Sequence, residues 1–264
     1  MHTMETRKHR LAYQEKGAWH MRTANPTLND NIFGRQRAKS GKRTMTLAGT
    51  VNKVFILLFI LMATAYYTWN LYYNNQPVTA YIWIGIIGSL IFALITAFIP
   101  KAAPITAPVY AALEGLFIGA ISAHYANLYE GIVIQAALLT IMTLFALLIA
   151  YKLRIIKVTK NFRLGVFAAT LGIFLVYLLD IILRSFTSIQ LPLLHESSLL
   201  GIGISLVIVA VAALNLVLDF DFIERASNRN VPKHMEWYGA FGLVVTLVWL
   251  YIEMLRLLAK LRNR

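Results

Sequence analysis

Beyond residue 53 the chain is a series of apolar runs divided by short polar breaks. The runs cover residues 54–72, 80–99, 106–123, 131–151, 164–183, 200–218 and 237–258. Each is close to the ~20 residues that cross about 30 Å of hydrocarbon. Apolar residues do not alternate with polar ones along them, so strands of a membrane barrel are excluded. Inside a bilayer the backbone must satisfy its own hydrogen bonds, so the runs are expected to be helices. The breaks at 74–79, 100–105, 124–130, 152–163, 184–199 and 219–236 are too short for a soluble domain. The pattern therefore predicts an all-α polytopic membrane protein, one seven-helix domain over residues 54–264. No internal repeat is visible, which speaks against an inverted-repeat transporter. Residues 1–53 are polar and basic, with Asn25-Pro26 and Asn29-Asp30-Asn31 as loop signals, and read as a flexible arm. No short apolar region with a small-residue cleavage site precedes the first run. Met21 would serve as a start as well as Met1, so residues 1–20 read as a non-native extension.

Composition supports the membrane reading: 58% of the 264 residues are hydrophobic and 14% charged, against about 25% charged in soluble domains. Without cysteine, disulfides and thiolate metal sites are excluded. The net charge of +13 could suggest nucleic acid, but 11 of the 25 Lys and Arg fall in the first 53 residues. That placement fits membrane orientation and anionic lipid, and no nucleic-acid partner is expected. With the N-terminus cytoplasmic, 20 basic residues lie inside and five outside. Four of those five, Arg256, Lys260, Arg262 and Arg264, sit in the tail and oppose the rule. The expectation is seven spans with the tail outside; a re-entrant last segment is the alternative.

The chemistry rests on few residues: Glu114, Asp180, Glu253 and Arg256 within the runs, and Asp219 and Asp221 at a boundary. A charge at mid-helix costs roughly 2.5–3.5 kcal/mol on insertion scales, so each calls for a reason. Hydrolase motifs, His-Glu-x-x-His and phosphate loops are missing, and His124, His195 and His234 fall in separate breaks. No enzymatic activity and no cofactor are expected. Glu114 stands beside Gly115 and Gly119, whose spacing lets another helix approach closely; its carboxyl reads equally well as structural or functional. Asp180 and Arg184 suit an interfacial ion pair. Ser205, Asn215 and Asp219 share one face of span six, and Asp221 points elsewhere. Thr246, Trp249, Glu253 and Arg256 share a face of span seven, where Glu253 and Arg256 can pair. A polar stripe of this length belongs against protein, which puts span seven in the bundle centre.

Several of these segments resemble the Bax inhibitor family, in particular its bacterial YccA-like branch. They are Asn25-Pro26, Met45 to Lys53, Ala112-Leu113-Glu114-Gly115-Leu116, Leu218 to Glu224, Pro232 to Ala240, and Leu255-Arg256-Leu257-Leu258. The resemblance covers about residues 25–264. It implies two layers of three helices around a central seventh, and a pH-sensitive calcium leak in the bacterial inner membrane. It also implies a latch in which an Asp on span six and an Asp on span seven share a proton, which physics favours for close carboxyls. Asp219 or Asp221 supplies the first. Ungapped matching of Tyr238-Gly239-Ala240 and Leu255-Arg256 puts Thr246 at the second, and Glu253 lies about 10 Å further along. Calcium, the expected permeant ion, would meet oxygen from Glu114, Asp219 or Asp221 transiently. The competing expectation is a non-conducting regulator of a membrane-bound ATP-dependent protease, held through the basic arm. A secondary transporter ranks last.

Overall fold

Each apolar run forms one helix, and most of the helices outlast their runs. The computed structural model of the chain describes residues 44–187 and 191–264. The arm before residue 44, with Asn25-Pro26 and residues 1–20, lies outside the described residues. The order is α1 (Leu47–Tyr73), α2 (Thr79–Phe98), a 3₁₀ turn (Pro100–Ala102), α3 (Ala103–Leu128), α4 (Ile132–Lys152), α5 (Lys160–Phe186), a single helical turn (Pro192–His195), α6 (Leu199–Ser227) and α7 (Met235–Arg262). Among the described residues these seven helices are long and apolar enough to cross a membrane. At 20 to 29 residues they measure about 30 to 44 Å.

Polar flanks extend the helices because they cap them and still bury a stripe. Thr46, Thr159 and Ser198 accept from the backbone N–H of Gly49, Phe162 and Gly201, closing the first turns of α1, α5 and α6. This corrects three boundaries read from the sequence. Residues 47–53, assigned to the arm, are the first two turns of α1. His124 lies within α3 and not in a break. Asp219 to Ser227, read as the start of a loop, continue α6, because Asp219, Phe220, Phe222, Ile223 and Ala226 all face inward at helical spacing.

α1 and α2 both pack on α3, α4 and α5 both pack on α6, and α7 touches α1, α3, α4 and α6. Burial ranks the helices in the same way: 67% of the apolar window of α7 is enclosed by protein, against 11% for α5. The central seventh helix expected from the polar stripe is what the structure has. The outward faces carry large apolar side chains such as Phe55, Phe59, Trp83, Ile134 and Phe174, as a lipid-facing surface must.

The two ends of the bundle are pinned by different contacts. At the arm end, Thr44 bridges to Pro232 and the Met45 N–H donates to the Val231 carbonyl at 2.8 Å, tying the entry of α1 to the α6–α7 turn. At the far end, Lys260 donates to the Gly201 carbonyl at 3.0 Å and Arg262 to the Glu130 carbonyl and the Gln135 amide oxygen. α7 is unbroken from Met235 to Arg262, so its last residues lie at the opposite end of the bundle from Thr44 and Met45.

Candidate functional site

Polar groups inside this bundle gather at three levels. The arm-end level is built on Glu236, in the first turn of α7 and fully buried. Its Oε1 accepts from the Thr46 backbone N–H at 3.1 Å and from the Thr46 hydroxyl at 3.0 Å, and its Oε2 pairs with Lys53 at 2.9 Å. Gly49 leaves the space: a Cβ there would lie 2.1 Å from Glu236 Oε1. Beside it, Asp221 Oδ2 takes Arg163 at 2.9 Å and Arg225 at 3.0 Å, and Glu224 accepts from the Tyr151 hydroxyl. These acids bind helix ends together.

The middle level holds Asp219, Thr246 and Glu114. Asp219 lies eight residues, about 12 Å along the axis, from the end of α6 and one short step of about 3 Å inward of Asp221; it is 1% exposed, and both its oxygens are shut off from the surface. Ser205 and Asn215 are buried along the same helix, and the Asn215 amide donates to the Thr170 hydroxyl of α5 at 2.8 Å. Thr246, eleven residues into α7, is buried, and its hydroxyl donates back to the Gly242 carbonyl at 3.3 Å. Glu114 is half-buried on α3. Tyr110, one turn earlier, stacks edge-on against Phe241 of α7 at 4.9 Å. The expected close approach of a helix at Gly115 and Gly119 is that of α1: a Cβ would meet Thr64 Oγ1 at 2.0 Å and the Ala65 carbonyl oxygen at 2.1 Å.

The far level belongs to Glu253. It is 2% exposed, receives the Tyr177 hydroxyl at 2.9 and 3.1 Å, and pairs with Arg256 at 3.2 Å. The Arg256 guanidinium also sits 5.1 Å from the centroid of the Tyr177 ring. Further out, the buried Asp180 is more than the interfacial partner of Arg184, which stands 3.8 Å away. Its Oδ2 meets His195 Nε2 at 2.9 Å and its Oδ1 accepts the Leu191 N–H at 3.1 Å, so it anchors the α5–α6 connection.

The structure thus brings Glu253 to Arg256 as expected and separates Asp219 from Asp221, the first enclosed and the second paired at the boundary. It does not gather Glu114, Asp219 and Asp221 into one cage; among the described residues no group of three or more His, Cys, Asp or Glu is placed to hold a metal ion. Sequence reasoning missed Glu236, Lys53, Arg163, Tyr177 and His195 as partners. Their pairings span up to 190 residues (Thr46 to Glu236), and local spacing carries no signal of them. Only the unusual acid in the first turn of an apolar helix marked Glu236.

Over residues 25–263 the chain matches the family model described as Bax inhibitor 1 like. No curated protein and no solved structure matches it.

Proposed function

The chain belongs to the Bax inhibitor 1-like family, and from that premise we propose that it is a pH-sensitive cation leak, with calcium as the chief permeant ion. Its place is the bacterial inner membrane, with the arm cytoplasmic. The observation that carries the reading is Asp219: a carboxyl 1% exposed, about 12 Å along the axis from the end of a membrane helix that packs on the central α7. A carboxyl enclosed within a membrane bundle is costly and is by default a functional group. Hard cations take carboxylate and carbonyl oxygen, and Glu114 and Glu253 add acids at other depths.

The sensor in this reading is one acid and not a pair. Thr246 stands where the family resemblance puts the second Asp, and its hydroxyl is spent on its own helix. Glu253 is engaged by Tyr177 and Arg256. Asp219→Asn and Glu114→Gln in calcium-loaded liposomes test the pathway. At least a tenfold fall in flux for Asp219→Asn is expected, with Asp221→Asn close to wild type. Wild-type flux in both Asp219→Asn and Glu114→Gln would end the proposal. Protein that conducts at no pH would favour the non-conducting regulator, to be tested by co-purification of a membrane-bound ATP-dependent protease.

A further inference from the structure

α1 and α4 do not pack on one another along their length. Between them lies a groove of about 1380 Å³, open to the side of the bundle. That exceeds the roughly 300–1,000 Å³ of small-molecule pockets. Its walls include Phe55 and Met62 of α1 and Ile141 and Phe145 of α4, and its floor includes Leu247 and Val248 of the central α7. From Val133 to Lys152 the α4 wall rises 19 residues, about 29 Å, so the groove follows the hydrocarbon thickness.

The arm end of the groove has a different chemistry. Lys152, Arg154 and Lys157 line it and are exposed, and none of the three forms an ion pair among the described residues. The two acids at that end are engaged: Asp221 by Arg163 and Arg225, Glu224 by the Tyr151 hydroxyl. A three-charge cationic mouth over an apolar trough complements one kind of molecule, an anionic headgroup on long acyl chains. The arm is itself basic, with ten Lys and Arg before residue 44, so its charge does not complement that mouth.

Arg154 adds a second observation. α4 ends with the Ile155 N–H bonded to the Ala150 carbonyl and the Arg154 N–H to the Tyr151 carbonyl. That closure needs a left-handed residue, usually Gly and sometimes Asn. Here it is Arg154, φ 57°; the other non-glycine residues with positive φ among the described ones are Asn75 and Asn230. An arginine held in a conformation that suits asparagine or glycine keeps a long cationic side chain at the groove mouth against local backbone preference.

We propose that the α1–α4 groove is a binding site for one anionic phospholipid of the arm-end leaflet, its acyl chains along α4 and its phosphate held by Lys152, Arg154 and Lys157. The test is native mass spectrometry of the full chain released from micelles doped with equal amounts of phosphatidylglycerol and phosphatidylcholine. Wild-type protein should retain phosphatidylglycerol with at least tenfold preference. Arg154→Gly relieves the backbone and should unfold at the same temperature or higher, yet lose several-fold of the preference. Lys152→Ala with Lys157→Ala should remove most of the rest, and Ala137→Trp, which fills the groove, should abolish retention of both lipids. Equal retention of the two lipids by wild type, an unchanged preference in Arg154→Gly, or a lipid-free mass would overturn the proposal. A lipid-free mass would mean that the arm or a second copy occupies the groove.

Discussion

At the residue scale, the buried acids divide by how fully their oxygens are occupied. Glu236 has three donors from α1 and its N-cap, and is closed to the surface. Glu236→Ala leaves the Thr46 N–H, its hydroxyl and Lys53 without their acceptor, and should cost about 2–3 kcal/mol in detergent unfolding. Gly49→Ala, which drives a Cβ into the same carboxylate, should destabilise in the same way. Tyr177→Phe removes the hydroxyl from Glu253 and should cost about 1 kcal/mol. His234, in the turn before α7, gives the pH signature that stability itself should carry. Burial first, and then the Lys101 charge, hold its imidazole below the ordinary value, which is about 6.5. The unfolded chain therefore takes the proton more readily, so His234 removes stability as pH falls below about 6.5. His234→Gln should lessen that acid-side loss in a series of unfolding temperatures. Of this level, the Glu253–Arg256 and Asp180–Arg184 pairs are legible in the sequence because both lie within about one helix turn. Glu236 with Lys53, and Glu253 with Tyr177, are not, because those groups meet only through packing.

At the element scale, glycine decides which helices come close. Gly115 and Gly119 of α3 are in contact with backbone oxygens of α1, so Gly115→Ala and Gly119→Ala must push the two helices apart. Each should cost about 1–3 kcal/mol, as overpacking does. Gly165 and Gly172 of α5 have open space where a Cβ would go, and their alanine variants should be neutral or gain up to about 1 kcal/mol from helix propensity. Thermal unfolding of the four variants side by side separates the two classes. The small-residue spacing in α3 is legible in the amino-acid sequence, as are all seven runs. The helix ends are not: hydropathy falls at Asp219, yet α6 continues two further turns because Phe220, Phe222, Ile223 and Ala226 keep an apolar stripe inward. A window that averages all sides of a helix cannot register one buried side.

At the scale of the whole molecule, three of the four tail cations that oppose the charge rule are engaged within the bundle. Arg256 is paired with Glu253, and Lys260 and Arg262 donate to carbonyls at the starts of α6 and α4. These charges are used in holding the far end together, so they weigh less against the basic arm. The chain has no cysteine, which makes the orientation simple to read. A cysteine at Arg264 should label with an impermeant maleimide from outside intact cells, and one at Lys42 should not. The reverse pattern would invert the molecule. The central claim, a cation leak governed by one buried acid, is tested most directly by calcium entry into dye-loaded liposomes across acidic, neutral and alkaline pH, with wild type beside Asp219→Asn. Wild-type flux should change with pH no more steeply than about tenfold per pH unit, the limit for one proton, and the residual flux of Asp219→Asn should lose that dependence. A steeper, two-proton response, or a pH dependence that survives Asp219→Asn unchanged, would contradict that claim.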